Sequence, residues 1–459
     1  MQKQKNLFQA YSQAFISSEK YDSKAIYAKR RLSMMKKLDS FCIFAGMPRE
    51  PGAEEAFAQT WTRFVQEPAF LYLTGLNEAG CFLVMDPLNQ KQTLFLPKKD
   101  PFKEFWFGKR VGYLENDDTA NRVTGFDDVR PSDELWSFVD SLSKKYSSGR
   151  NSKNYVYAYY FEKFKDDHNW KFMRALQSRI KKYGMTVRSA STMHFEDRLV
   201  LEDERVAEAR RAQQITDQAF RALLCNMKNI TNERELSLYL NYEMQRRGDG
   251  DLAFPTIVAG GDNAVCLHYV KNDEKLHDGR LVLLDFGVRY GTLHSDISRT
   301  IPVNGKFNPL QKMLYQIVLD SAKEYKKFVR PGVSLKEIGM VPWDFIVKEL
   351  DSRLVKNACG TYKLLYDKRP HGVSHFIGEQ IHEGDPGSRS LDVPLKSGML
   401  ISCEPGVYGE FEGVFDGKRI REVVGIRIED DLLITEKGFL NISKHIPREI
   451  DEIEKMMAG

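Results

Sequence analysis

The stretch from Arg280 to Val303, RLVLLDFGVRYGTLHSDISRTIPV, decides how this chain is read. An apolar run, Leu281 to Leu284, leads into Asp285, and a Gly-containing break separates it from a second run, rich in Ile, Ser and Thr, that carries Asp296. Two such runs across a short break predict a β-hairpin. With Tyr290 and Gly291 as a two-residue turn, Arg289 faces Thr292 and Asp285 faces Asp296, both aspartates on one face. Directly opposed residues have Cβ atoms about 4.5–5.5 Å apart, where like charges destabilise unless something neutralises them. The plain alternative is a pair of surface carboxylates on an edge hairpin. Asp285, however, closes a run patterned as a buried strand, and a carboxylate there needs a partner.

Three further segments point the same way. GMLISCEPG reads as a strand closed by Pro405 and Gly406, with Glu404 at the end of its buried run. In VGIRIEDD the alternation puts Ile426 and Ile428 on one face and Arg427 with Glu429 on the other, which brings a fixed positive charge close to a carboxylate. HGVSHF supplies His375. Asp285, Asp296, His375, Glu404 and Glu429 together offer four carboxylates and one imidazole, a set that balances two divalent metal ions and repels itself without them. Oxygen-rich ligation favours Mn²⁺, and the single histidine also permits Co²⁺ or Zn²⁺.

Six of the nine histidines, His268, His277, His294, His371, His375 and His382, fall between residues 268 and 382. Imidazoles beside carboxylates suit hydrolytic metal chemistry, since they ligate, donate to a developing oxyanion and move protons near neutral pH. His371 and His375 have the spacing of a helical HxxxH zinc pair, but Gly372, Gly378 and the lack of an intervening Glu argue against it. His277 and His294 lack such context and read as surface or packing residues.

The segments GGDNAVCLHYVKND, LLDFGVRYGTLHSDISRTIPVNGKF, RPHGVSHFIGEQIHEGD, ISCEPGVYG and GIRIEDDLLIT, in that order, resemble the pita-bread metallopeptidase family that includes Xaa-Pro aminopeptidase (aminopeptidase P), prolidase and methionine aminopeptidase. The resemblance spans most of residues 195–440. It implies that Asp285, Asp296, His375, Glu404 and Glu429 are the metal ligands, with Asp296 and Glu429 bridging two ions. It also implies that His268 and His382 hydrogen-bond substrate and the tetrahedral intermediate, and that His371 and Arg427 line the pocket for the residue after the scissile bond. FLYLTGLNEAGCFLVMD and TLFLPKKDPFKEFWFGKR are similar to the amino-terminal domain of aminopeptidase P and prolidase, which methionine aminopeptidases lack.

The implied fold is α/β (α+β): a creatinase/prolidase-like α/β domain over residues 1–194, then a pita-bread catalytic domain over 195–459. The implied reaction is removal of the residue before proline from the N-terminus of a peptide. A metal-activated hydroxide would attack, with Glu404 accepting its proton and His268 and His382 stabilising the oxyanion. A prolidase limited to dipeptides and a non-catalytic binding module on the same fold are the alternatives, and the complete ligand set disfavours the second. Two departures from the family pattern bear on substrate preference. Glu379 and Gln380 stand where many relatives carry a hydrophobic-acidic pair, and EDRLVLEDERVAEARRA lacks the basic pattern often seen where the catalytic domain begins.

At 459 residues the chain is long enough for two domains with substantial cores. A net charge of +4 gives no electrostatic case for nucleic acid or an anionic membrane as partner. MQKQKNLFQAYSQAF lacks the apolar centre of a signal peptide, and no apolar stretch approaches membrane-spanning length, so a cytoplasmic location is expected. The six cysteines show no CxxC spacing and read as reduced core residues. The resemblance implies a homodimer or homotetramer.

Local signals place the remaining elements. SKKYSSGRNSKN, at 143–154, reads as a polar loop, and 203–228 as a helix with Val206, Ala209, Ala212, Ile215, Ala219 and Leu223 on one face. Asn232 with Glu235, Asn308-Pro309 with Gln311, and Ser334 with Glu337 each read as helix starts, and Pro331-Gly332 as a stop. Ligand strands alternating with helices predict a central sheet backed by helices.

Overall fold

The computed structural model describes residues 23–48, 64–148, 152–160, 168–248, 251–357, 359–384 and 389–459. The chain divides between Arg198 and Leu199 into two compact units; the sequence reading puts that boundary at 194/195. The opening MQKQKNLFQAYSQAF lies outside the described residues.

The first unit is built on a six-stranded mixed sheet of β1 (Cys42–Ala45), β2 (Phe82–Asp86), β3 (Lys91–Leu96), β4 (Asp128–Pro131), β5 (Tyr155–Ala158) and β6 (Thr186–Ser189), in the order β4-β3-β2-β1-β5-β6. The period of two sends successive side chains to opposite faces. Cys42, Phe44, Leu83, Met85, Leu94 and Leu96 pack with Met34 and Met35 of α1 (Ser23–Lys37), whereas Ile43, Val84 and Phe95 pack with α2 (Leu135–Ser147) and α3 (His168–Ile180). The polar loop expected at 143–154 therefore begins later. Leu142 and Tyr146 are buried, and their packing carries α2 on to Ser147.

In the second unit, α4 (Asp203–Asn226) buries Ala209, Ala212, Ile215, Ala219 and Leu223, as the helical spacing predicts. The Asn232 side chain caps α5 (Glu233–Gln245) by accepting from the Glu235 N–H. Asn308 and Gln311 form a full capping box at the start of α6 (Pro309–Lys326), as Ser334 and Glu337 do for the turn Leu335–Ile338. α6 ends at Lys326, short of the Pro331-Gly332 stop.

Four three-stranded sheets stand where one central sheet is expected. They are β11-β10-β7, β12-β9-β8, β13-β15-β16 and β14-β17-β18, with β7 (Asp251–Leu252), β8 (Ile257–Gly260), β9 (Leu281–Phe286), β10 (Val288–Tyr290), β11 (Leu293–His294), β12 (Ile297–Pro302), β13 (Gly360–Leu364), β14 (Leu400–Cys403), β15 (Gly406–Phe415), β16 (Lys418–Arg427), β17 (Asp430–Thr435) and β18 (Gly438–Asn441). The breaks have a pattern. Asp296 lies between β11 and β12, Glu404 just past β14, and Glu429 between β16 and β17. At these positions the backbone leaves its ladder and the side chain is aimed by a local bend. Glu429 N–H donates to the Ser298 carbonyl at 3.0 Å, stitching one sheet to the next.

Among the described residues no helix is long and apolar enough to cross a membrane. No disulfide joins cysteines among the described residues, and Cys42, Cys81 and Cys403 are buried as expected, but Cys225 and Cys266 are exposed. Cys225 falls on the solvent side of an amphipathic helix, and composition alone did not separate the two faces.

Candidate metal centre

The hairpin that carries Asp285 and Asp296 turns one residue later than predicted, which moves every residue's partner by two. Tyr290 pairs with Leu293 around Gly291-Thr292, so Asp285 faces Ser298 and Asp296 lies diagonally from Asp285. Gly291 has φ +61°, and the Glu208 carboxylate accepts from both the N–H and the hydroxyl of Thr292 at 3.0 Å. That grip from α4 selects the turn. A slip of two preserves the face of every side chain, whereas a slip of one would have separated the aspartates. Gly287 is required where the two runs cross, because a Cβ there would overlap the Ser295 carbonyl.

All five expected ligands converge. Ligating atoms of Asp285, Asp296 and Glu429 lie within 4.8 Å of one another, as do those of His375, Glu404 and Glu429, and those of Asp296, His375 and His382. His375 Nε2 is 3.3 Å from Asp296 Oδ2 and 3.5 Å from Glu404 Oε1. Its Nδ1–H donates to the Phe376 carbonyl at 3.1 Å, which makes Nε2 the ring nitrogen turned toward the carboxylates. The backbone from 370 to 379 is not helical, so the zinc-type HxxxH helix is excluded.

Arg427 occupies the place the strand alternation gives it. It donates to Asp285 Oδ2 at 2.6 Å, Ser298 Oγ at 2.7 Å and the Tyr408 hydroxyl at 3.1 Å. Ser298 in turn donates to Glu429 Oε2 at 2.8 Å. His371 lies 3.5 Å from Glu404 and contacts the Tyr408 hydroxyl at 3.1 Å. The His382 ring stands 4.3 Å from that of His375. His268 is exposed.

The electrostatics describe a site with too much negative charge. Burial, opposed by Arg427 and aided by Asp296, pushes Asp285 up to about 6. Burial also raises Glu404 to about 7, against the pull of His375, and holds Glu429 well above the carboxylate range. Burial opposes the charge on His375, but its hydrogen bond to Asp296 and the Glu404 charge outweigh that and raise it to about 9. Asp285 Oδ1 is buried with no hydrogen-bond partner among the described residues. An orphaned carboxylate oxygen amid three other carboxylates and an imidazole whose Nε2 faces them is a donor set that fits divalent cations.

Sequence reasoning missed three residues that hold the candidate ligands in place. Ser298 bridges Arg427 and Glu429, Tyr408 joins His371 to Arg427, and Asp431 accepts from the Asp296 N–H at 3.1 Å. A signal existed for two of them. Ser298 follows Asp296 by two residues and Asp431 follows Glu429 by two, the strand period. His277 is a surface residue and His294 a buried one, the two outcomes the sequence reading allowed, and His294 Nδ1–H donates to the Gly378 carbonyl at 2.9 Å.

Residues 207–436 match the family model for metallopeptidase family M24, and residues 27–150 match that for the aminopeptidase P N-terminal domain. The chain belongs to metallopeptidase family M24. Among M24 proteins it is 32% identical over 401 residues to Xaa-Pro aminopeptidase 3 of Rattus norvegicus, covering 86% of this chain and 76% of that one. With Xaa-Pro aminopeptidase of Escherichia coli it shares 29% identity over 413 residues, 86% of this chain and 89% of the relative. Among solved structures, zinc-substituted E. coli aminopeptidase P in complex with product superposes with a TM-score of 0.78 at 26% identity, covering 95% of this chain and 98% of that one. The same enzyme with the inhibitor Pro-Leu gives 0.77 at 27% identity, over the same shares. As an M24 enzyme the chain is a metallopeptidase served by divalent metal ions, with an α/β first domain and a pita-bread second domain.

Proposed function

We propose that this protein is an Xaa-Pro aminopeptidase, releasing the first residue of peptides whose second residue is proline. The observation that carries the reading is the convergence of Asp285, Asp296, His375, Glu404 and Glu429, with Arg427, His371 and His382 at its edge. The names of the relatives support the choice of substrate, and the first domain supports it against members that lack one. In this reading Asp285, Asp296, His375, Glu404 and Glu429 would hold two divalent cations, and Mn²⁺ is the ion of first choice for so many oxygen donors.

When bound, two such ions would acidify a shared water and polarise the scissile carbonyl. The remaining steps belong to the chain. Glu404, beside His371 and His375, accepts the proton from the attacking water, and as the C–N bond breaks the proton passes to the leaving imino nitrogen of proline with the help of His268 and His382. Desolvation at the site, with the charge of His375, holds His382 down at about 4 although part of its side chain reaches solvent, so it stays neutral at pH 7 and donates an N–H to the developing oxyanion together with His268. Burial and Arg427 likewise keep His371 neutral, at about 4. It stands beside Glu404 and Tyr408 as a wall of the pocket for proline, whose missing N–H and rigid ring make the bond a distinct shape. The enzyme acts in the cytoplasm as a homodimer or homotetramer in this reading.

The test is mass spectrometry of Mn²⁺-loaded protein incubated with an Xaa-Pro-Xaa tripeptide, an Xaa-Pro dipeptide and a tripeptide without proline. Release of the first residue from the proline tripeptide is expected. Cleavage of the dipeptide alone would move the assignment to prolidase, and no cleavage by metal-loaded protein would overturn it.

A further inference from the structure

His375 and His382 are joined by a short loop, closed where the Glu383 N–H donates to the Phe376 carbonyl at 2.8 Å. Two neighbouring residues of that loop are held from different elements. The Gly378 carbonyl accepts from His294 Nδ1 of β11 at 2.9 Å, and Glu379 Oε2 pairs with Arg205 Nη2 of α4 at 2.7 Å. The side chains of Arg205 and Glu379 are 2% and 0% exposed. A buried charge pair of this kind resists separation, because Glu379 would lose its ion pair inside the protein, whereas Arg205 also meets Glu202 Oε2 at 3.4 Å. Glu379 stands where the family motif commonly carries an apolar residue, so the loop here depends on a partner and not on packing alone.

We propose that Arg205 and His294 are positioning residues which fix this loop, and with it His382, against the carboxylate cluster; the proposal rests on the peptidase reading above. Arg205 and Glu208 are three apart on one face of α4. Glu208 grips the hairpin turn that sets Asp285 and Asp296, and Arg205 grips the loop that sets His382. His294, two residues from Asp296, ties the two directly. One end of one helix thus sets the distance between two halves of the site. A misplacement of about 1 Å in such a constellation costs about 100-fold in rate.

The experiment compares Glu379→Gln, His294→Leu and His294→Asn in Mn²⁺-loaded protein. The readouts are kcat and KM on an Xaa-Pro-Xaa tripeptide, metal content, and deuterium exchange over 376–384. Glu379→Gln and His294→Leu are expected to lower kcat about 10- to 100-fold at unchanged KM and metal content. They should also speed exchange in 376–384 and nowhere else. His294→Asn should recover most of the rate, because its amide N–H reaches the same carbonyl. Arg205→Lys, which keeps the charge and loses the guanidinium fork, replaces Glu379→Gln if that variant does not fold, with the same expected direction. Wild-type kcat and exchange in the charge and Leu variants, or no advantage of Asn over Leu, would overturn the proposal. If wild-type protein cleaves no Xaa-Pro bond the peptidase reading falls, and the exchange pattern alone decides whether the loop is clamped.

Discussion

Asp430→Asn tests the electrostatic frame behind the site. Asp430 is buried beside Glu429 and meets Lys326 Nζ at 2.5 Å, Arg448 Nη1 at 2.7 Å, Asn441 Nδ2 at 2.8 Å and Arg299 Nη2 at 3.0 Å. Burial works against its charge, but Lys326, Arg299 and Arg448 outweigh it and hold the carboxyl well below its ordinary range. The Arg299 side chain is fully buried, and its other donors go to carbonyls of Ser298, Glu429, Ile446 and Pro447. Asn keeps the shape and removes the only carboxylate in that set, leaving a buried guanidinium uncompensated at a cost of about 3–5 kcal/mol. For a unit of this size each kcal/mol lowers Tm by about 2–4 °C, so a fall of about 6–20 °C is expected at pH 7 by calorimetry. Because the folded carboxyl titrates below its unfolded value, its contribution is complete above the ordinary carboxylate range and lost as pH falls through it. The gap between wild type and variant should therefore narrow below about pH 4. A drop smaller than about 3 °C at pH 7, or a gap that widens in acid, would refute the reasoning.

Three further outcomes are expected. Asp296→Ala should abolish hydrolysis and metal retention while circular dichroism stays native, and activity with both metals bound would remove the bridging assignment. His382→Ala should lower kcat by about 10²–10⁴ with metal content unchanged, and a silent variant would end its role as a donor. Adding Mn²⁺ to metal-stripped protein should raise Tm in a concentration-dependent way, by about 2.7 kcal/mol of stability at a hundredfold excess over Kd. A Tm indifferent to Mn²⁺ would mean that the carboxylates do not bind it.

Signals confined to a few residues were read well, and those that depend on distant partners were not. The capping boxes at Asn308 and Ser334 are complete within four residues, and both form as written. The Asp285/Asp296 register slipped by two because the turn is chosen by Glu208, a residue more than eighty positions away. Arg427 and Glu429 do share a side, as the alternation has it, but the strand ends at Arg427 and it is Ser298, bonded to both, that holds them together. His294 looked contextless because its partner, Gly378, comes from another segment. Asp431 was passed over because the acidic run Glu429 to Asp431 does not say which carboxylate is functional until the surrounding cations are known.

That run also limits how the protein can vary. Glu429 faces the metal centre, Asp430 faces three cations, and Asp431 supports the backbone of Asp296. One inserted or deleted residue beside them would turn Asp430 toward the carboxylates and strand Arg299 without its counter-ion, undoing catalysis and folding together. Homologues should therefore tolerate changes of side chain here more readily than any change of length, and gaps in this stretch should mark sequences that have abandoned the reaction.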